Sequence, residues 1–277
     1  MCAAAHRSTD AHARNLIAQP TRTRVTEQTV YVDPVKGDEE NQCMSDAQSC
    51  KTMQAPYDKM YSSYDFGSSN ARMHLADGDY TSGLSISGHP VGAVRVQIVG
   101  NCENPQNVNV SPTGGTAFSV QDGGMLQVAC VQVSGSGVTG FKARKMGILQ
   151  VNFQSGNAVV LSDIPGGTGI AATDGGMVDI AGQVVISGNA TVHWAVSSLS
   201  RMTVQEGTTY SIMGQYTIDY FLNTLLNSVV ALGANVTFGG PDPAGYKYNV
   251  TSGSRVSLNG NVLPGTLPGT LNEGQVF

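Results

Sequence analysis

Six acidic residues in the middle of the chain are the first candidates for catalysis, because a glycoside hydrolase needs two carboxylates about 5–10 Å apart on one face. These candidates are Asp122, Asp163, Asp174, Asp179, Glu206 and Asp219. Asp174 and Asp179 lie on opposite sides of one Gly-Gly corner. Asp179 and Glu206 are farther apart in the chain than Val178 and Met202, which mark the local repeat. The sequence therefore favours scattered, solvated carboxylates over a catalytic pair, and no catalytic residue is predicted.

Aromatic side chains concentrate between residues 193 and 221. The group consists of His193, Trp194, Tyr210, Tyr216, Tyr220 and Phe221. Exposed aromatic faces can hold sugar rings, which makes part of this group a candidate receptor or glycan site. The candidate receptor or glycan site consists of His193, Trp194, Tyr210 and Tyr216. Interior packing or a subunit contact would explain the same residues, and this alternative is preferred.

The cysteines give little support for metal chemistry. The chain contains five of them, Cys2, Cys43, Cys50, Cys102 and Cys130, without a CxxC motif and without clustered histidines. A zinc site normally combines such motifs, so neither a metal nor a cofactor is predicted. Cys102 and Cys130 are expected to be small apolar residues of the core.

A strand-like unit recurs along most of the chain. Its first apolar residue can be followed as Met73, Val96, Leu126, Leu149, Val178, Met202, Val230 and Val256. Successive positions in this series are separated by roughly 25 residues, a period typical of solenoids. Within each unit apolar and polar residues alternate, as in strands. The pattern predicts an all-β fold, a single-stranded parallel β-helix of about eight coils.

Charge divides the chain unevenly. The net charge is −5, which gives little support for a nucleic-acid partner. Residues 1–26 nevertheless carry four arginines, Arg7, Arg14, Arg22 and Arg24, against a single acidic residue, Asp10. We predict that residues 1–28 are a flexible basic arm that docks on a partner, or else a disordered tail. No apolar signal segment and no membrane-spanning stretch is predicted.

The remaining chain divides into three predicted parts. Residues 29–70 would form an N-terminal cap made of a strand, a polar loop and a helix over 55–65, which covers the open edge of the first coil. Residues 71–262 would form the β-helix shaft. Pro264 and Pro268 should prevent residues 263–277 from continuing the coils, so an extended tail that packs on a neighbour is expected.

The cap carries a resemblance to a known family. Tyr31-Val32-Asp33 with Gly37-Asp38, then Lys51-Thr52-Met53-Gln54-Ala55, then Leu75-Ala76-Asp77-Gly78-Asp79-Tyr80 resemble the N-terminal segment of right-handed parallel β-helix proteins. The repeat Leu263-Pro264-Gly265-Thr266 and Leu267-Pro268-Gly269-Thr270, with Gly274-Gln275, is similar to the tails of minor structural proteins of phages and prophages built on this fold.

The resemblance implies a function and an assembly. It implies a right-handed β-helix and a structural virion protein of a tailed bacteriophage, such as a short tail spike, tail fibre or head spike. That protein would be made in the bacterial cytoplasm and located in the virion. It would attach to a host surface glycan without catalysis, as a homotrimer held to other virion proteins by the N-terminal arm.

One disulfide and two other functions remain open beside that interpretation. Some relatives carry a disulfide at the positions of Cys43 and Cys50, although synthesis in a cytosol argues against early oxidation. A polysaccharide depolymerase, either a hydrolase or a lyase, is the competing function, because its site could lie between subunits. A bacterial surface adhesin is a third hypothesis, disfavoured by the missing export signal.

Overall fold

The computed structural model describes residues 22–25, 28–153 and 157–277. The strands in chain order are β1 (Thr23–Arg24), β2 (Gln28–Val32), β3 (Tyr64–Asp65), β4 (Ala71–Leu75), β5 (Gly78–Tyr80), β6 (Leu84–Ser87), β7 (Val96–Val99), β8 (Val108–Val110), β9 (Gly115–Gln121), β10 (Met125–Ala129), β11 (Val131–Ser134), β12 (Val138–Ala143), β13 (Ile148–Val151), β14 (Ala158–Ala172), β15 (Met177–Ile180), β16 (Gln183–Val196), β17 (Arg201–Val204), β18 (Thr209–Met213), β19 (Thr217–Thr224), β20 (Val229–Leu232), β21 (Thr237–Gly239), β22 (Ala244–Thr251), β23 (Arg255–Ser257), β24 (Thr270–Asn272) and β25 (Gln275–Val276). One α-helix, α1 (Gln54–Ser63), and two short 3₁₀ turns, Asp46–Gln48 and Pro105–Asn107, complete the secondary structure of the described residues.

The strands wind into a parallel β-solenoid, as the repeat predicted, but with about seven turns where the repeat indicated about eight coils. One sheet, here called sheet I, stacks ten strands in the order β2-β4-β7-β10-β13-β15-β17-β20-β23-β25. A second sheet of 13 strands, sheet II, follows the path β24-β22-β19-β16-β14-β11-β8-β5, with five further strands beside it. Neighbouring strands of each sheet run parallel, one coil above the next.

The core is a set of in-register apolar columns between the sheets. Seven of the eight predicted marker residues stack in one column, which runs Val96, Leu126, Leu149, Val178, Met202, Val230 and Val256. All seven are buried. The eighth marker is wrong by two positions, because Val96 pairs with Ala71 and not with Met73. Burial of these columns supplies the main drive for stacking the coils.

The corner before each strand of sheet I explains the Gly-Gly repeat. At Gly176 a Cβ atom would collide with the backbone of Ala143 in the coil below, so only glycine fits. In the later coils the same position holds buried serines. The backbone N–H of Ser200 donates to the hydroxyl of Ser228 at 3.3 Å, and that of Ser228 donates to Ser254 at 3.2 Å. Side-chain hydroxyls thus satisfy backbone donors that the turn leaves free.

Helix α1 lies close to its predicted range. Its residues Tyr57 and Met60 are buried, while Tyr61, one helical turn after Tyr57 with its ring 6.0 Å from that of Tyr57, is 44 % exposed. The Tyr57 hydroxyl donates to the carbonyl of Ser87 at 3.1 Å, which ties the helix to strand β6. Burial raises the pKa of Tyr57 above its ordinary value.

Both ends of the chain differ from the predicted boundaries. Residues 23–24 of the predicted arm pair with β3, and Gln28 pairs with Ala71, so the arm would be shorter than 1–28. The predicted tail, 263–277, was expected to leave the solenoid and is instead part of it. Strand β24 adds to β22 and strand β25 adds to β23, because the chain resumes strand pairing once Pro268 is passed.

Candidate functional site

The four residues proposed as an exposed receptor patch lie inside the solenoid. Trp194 and Tyr210 are 0 % exposed, His193 is 1 % exposed and Tyr216 is 5 % exposed. The exposed-patch hypothesis is therefore wrong for these side chains, and the preferred alternative of interior packing describes them. Strict alternation breaks down here, because the consecutive residues Phe221 and Leu222 are both buried and the pairing of β19 with β22 has a register shift between Thr217 and Tyr220.

The buried aromatic rings form one packed cluster. The Trp194 ring centroid lies 5.3 Å from that of Tyr210 and 4.9 Å from that of Phe221, both nearly edge to face. Tyr210 stacks on Phe238 at 5.1 Å. Edge-to-face and offset-stacked rings at these distances attract one another beyond the area they bury. The cluster therefore stabilises the later coils.

His193 is the polar exception within that cluster. Its ring lies 5.6 Å from Tyr216 and 5.4 Å from Phe221. Both of its nitrogens are buried without a hydrogen-bond partner among the described residues. Burial lowers the pKa of His193 to about 3, because an apolar surrounding disfavours the charged imidazolium. Burial likewise raises the pKa values of Tyr210 and Tyr216.

The aromatic residues that reach the surface are different ones. Tyr220 and Tyr246 occupy paired positions on adjacent coils of sheet II. Their rings are stacked, with centroids 5.5 Å apart and planes 28° apart, and Tyr246 is 38 % exposed. They line an open groove of about 480 Å³. This groove, here called the tyrosine groove, is formed by Ile218, Asp219, Tyr220, Ala244, Gly245, Tyr246, Thr266 and Leu267.

The C-terminal segment builds one wall of the tyrosine groove. Leu267 donates its backbone N–H to the carbonyl of Gly245 at 2.9 Å, and the Thr266 hydroxyl accepts from the N–H of Gly245 at 3.3 Å. Gly245 has φ +153°, and a Cβ there would collide with the carbonyl of Ile218. The glycine thus lets strand β22 lie close against strand β19. Asp219 is exposed beside Tyr220 and supplies carboxylate hydrogen-bond acceptors.

Sequence inspection included Tyr220 in the aromatic group but left it out of the proposed site, and it missed Tyr246. A usable signal was present, since the spacing from Tyr220 to Tyr246 is the same as the spacing from Val230 to Val256. Residues one period apart on a solenoid are neighbours on the same face. Spacing alone did not show which aromatic columns face outward.

The carboxylates considered for catalysis are spread over separate positions. Asp179 pairs with Thr203 in the next coil, so the local register holds and Glu206 lies outside that row. Glu206 accepts a hydrogen bond from Asn235 at 3.5 Å, and Asp122 accepts one from Ser87 at 2.6 Å. Within residues 22–25, 28–153 and 157–277, no three His, Cys, Asp or Glu side chains converge as a metal site would require.

Two of the four arginines predicted to dock on a partner, Arg22 and Arg24, lie among the described residues. Arg7 and Arg14 lie outside the described residues. Arg24 is exposed in β1, and its guanidinium lies beside Gly67, which has φ +53°. The Nε of Arg22 is buried without a partner among the described groups. Arg22 and Arg24 thus lie against the cap, whereas docking to a virion stays a prediction.

Two disulfides are present, and one was not predicted. Cys43 and Cys50 are bonded, with their Cα atoms 5.0 Å apart, as the family resemblance implied. Cys102 and Cys130 are also bonded, with Cα atoms 4.5 Å apart, so their interpretation as free apolar residues is wrong. The sequence separation of 28 between them corresponds to one coil, which places the two sulfurs one above the other. The bond is a covalent cross-link between two adjacent coils.

Comparison with protein-family models, with curated proteins and with solved structures finds no match for this chain. The class of protein is thus defined by the fold itself, a parallel β-solenoid with a surface tyrosine groove. In the part of the chain that the structure describes, no helix is long and apolar enough to cross a membrane.

Proposed function

We propose that the protein is a non-catalytic attachment protein that binds surface glycans through the tyrosine groove. The observation that carries the proposal is the stacked, outward-facing pair Tyr220–Tyr246 beside an exposed carboxylate, Asp219. A sugar ring offers an apolar C–H face to an aromatic ring and hydroxyl donors to a carboxylate. Such a combination of apolar contact area and few fixed polar groups is typical of ligand sites.

The proposed setting is the virion of a tailed bacteriophage, as a short spike or fibre. It rests on the sequence resemblance of the cap and of the C-terminal repeat. Two disulfides favour a protein that works in oxidising surroundings outside a cytosol, which agrees with a particle that meets a host surface. In this setting the solenoid is right-handed, α1 covers the open edge of the first coil, and the basic N-terminal residues dock on other virion proteins.

Loss of the tyrosine pair is expected to weaken glycan binding at least tenfold. The measurement is binding to a panel of immobilised bacterial surface polysaccharides, with the double variant Tyr220→Ala/Tyr246→Ala compared with wild type. A matched control is Tyr31→Ala/His74→Ala, because these two rings form a similar pair at 5.9 Å on sheet I. The control variant should bind like wild type.

Equal glycan affinity of the two folded double variants would contradict the proposal. Release of new reducing ends during the incubation would instead favour the depolymerase hypothesis, since a binding protein leaves the polysaccharide chain intact. Circular dichroism on every variant keeps loss of binding separate from loss of fold.

The proposed assembly is a homotrimer with parallel shafts. Light scattering on the purified chain should then give a molar mass close to three times 28.9 kDa. A stable monomer at micromolar concentration would contradict the trimer and would leave the glycan site as a single-chain site.

A further inference from the structure

A second cleft lies at the cap end of sheet II, between helix α1 and the first coils. It has a volume of about 320 Å³ and is here called the basic cleft. Its lining residues are Gln54, Gly83, Leu84, Ser85, Pro112, Gly114, Thr116, Ser119, Lys142 and Arg144. Of these described residues, the two that carry charge, Lys142 and Arg144, are both basic. Hydroxyl groups supply most of the other polar atoms.

The donors in the basic cleft suit an anion. Arg144 holds its Nε buried without a hydrogen-bond partner among the described residues, and leaving such a donor unpaired is costly. Lys142 lies one coil above Ser119, which is 6 % exposed, and two coils above the exposed Ser85 in the same column of paired positions. A guanidinium and an ammonium flanked by hydroxyl donors match the geometry of a carboxylate or a sulfate group.

The basic cleft and the tyrosine groove lie on the same face of the solenoid. The column that holds Lys142 continues through Ala171, Ala195 and Asn223, and Asn223 is on the same strand as Tyr220. Three coil steps at ~4.8 Å each separate the Lys142 row from the Tyr220 row by about 14 Å. Between the two sites this column carries the short side chains of Ala171 and Ala195. No large side chain of the column therefore projects between the basic cleft and the tyrosine groove.

We infer that this face binds one extended strand of an acidic polysaccharide, with the tyrosine groove holding a sugar ring and the basic cleft holding a carboxylate or sulfate substituent. The inference rests on the proposed glycan-binding function and adds the class of glycan. Coil spacing is close to the rise of one residue in an extended sugar chain, so successive sugars can follow successive coils. Charge attraction draws the anionic chain to one end of the face.

The test is a set of titrations with dextran, dextran sulfate of the same chain length and polygalacturonate at fixed ionic strength. Wild type should bind dextran sulfate or polygalacturonate at least tenfold more tightly than dextran. The double variant Lys142→Gln/Arg144→Gln should lose that preference. A matched control, Lys36→Gln/Arg255→Gln, makes the same charge change at two exposed positions that do not line the cleft, and it should keep the preference within twofold.

Two results would overturn the inference. One is equal affinity of wild type for the charged and uncharged polymers. The other is an equal loss of affinity in the two double variants, which would mean that net charge alone is sensed. Either result leaves the proposed function standing if Tyr220→Ala/Tyr246→Ala still abolishes binding to a neutral glycan. Wild-type protein that binds neither these polymers nor the surface polysaccharide panel overturns both. A preference between the two anionic polymers distinguishes sulfate from carboxylate.

Discussion

Trp194→Ala is expected to lower the free energy of unfolding by about 3–5 kcal/mol, the usual cost of removing a large buried aromatic side chain. Trp194 is fully buried and contacts the rings of Tyr210, Phe221 and Phe238. The cavity would open in the middle of stacked coils, where neighbouring strands are fixed by pairing and can collapse little. Urea unfolding followed by far-ultraviolet circular dichroism measures the change without relying on tryptophan fluorescence.

The matched comparison for this variant is Tyr246→Ala. Tyr246 is partly exposed and contacts Tyr220 across adjacent strands, a type of pair that contributes about 0.2–1 kcal/mol. The two variants should therefore separate stability from binding: Trp194→Ala weakens the fold, and Tyr246→Ala weakens glycan binding. The contrary result would be a Trp194→Ala protein that is as stable as wild type but has lost glycan binding. That result would indicate an exposed binding residue and contradict the assignment of Trp194 to the core.

Mild acid should destabilise the protein through His193. The folded state holds the pKa of His193 at about 3, below the ordinary value of about 6.5 that applies in the unfolded chain. As pH falls below about 6.5 the unfolded chain takes up a proton that the folded state excludes, so stability falls. Above about pH 7 neither state binds this proton, so the free energy of unfolding has its full value there. It falls by up to about 1.4 kcal/mol per pH unit toward pH 3, which gives a loss of about 2 kcal/mol between pH 7 and pH 5.

The variant His193→Leu removes the titrating group and two unpartnered buried nitrogens. Its unfolding free energy should change little between pH 7 and pH 5, whereas the variant His74→Gln, altered at an exposed position, should follow the wild-type profile. The measurement is urea unfolding at several pH values in that range. A His193→Leu protein with the full wild-type pH dependence would show that His193 is not the responsible group.

The sequence predicted the solenoid well because its signal is local and repeated. Strand alternation at Leu126, Val178 and Val256 needs only the burial of one face of each strand, and the structure places these residues in one column. The error at Met73 arises at the first coil, where the spacing cannot be checked against a preceding one.

The site was harder to predict, because its geometry depends on where the coil bends. Alternation predicts the buried face only of a regular strand, and the consecutive buried pairs His193–Trp194 and Phe221–Leu222 break that alternation. Predicting the bond between Cys102 and Cys130 requires the length of one particular coil, and coil length varies along the sequence. Pro264 and Pro268 were predicted to end the solenoid but do not, since strand pairing resumes at Thr270.

The most direct test of glycan binding on this face is hydroxyl-radical footprinting, read by mass spectrometry, with and without a bound polysaccharide from the panel. Tyr220 and Tyr246 should become protected from oxidation, and Tyr31, which is partly exposed on sheet I, should react equally in both samples. Protection confined to sheet I, around Asp179 and Arg201, with Tyr220 and Tyr246 unchanged would contradict the account and place the glycan on the opposite sheet.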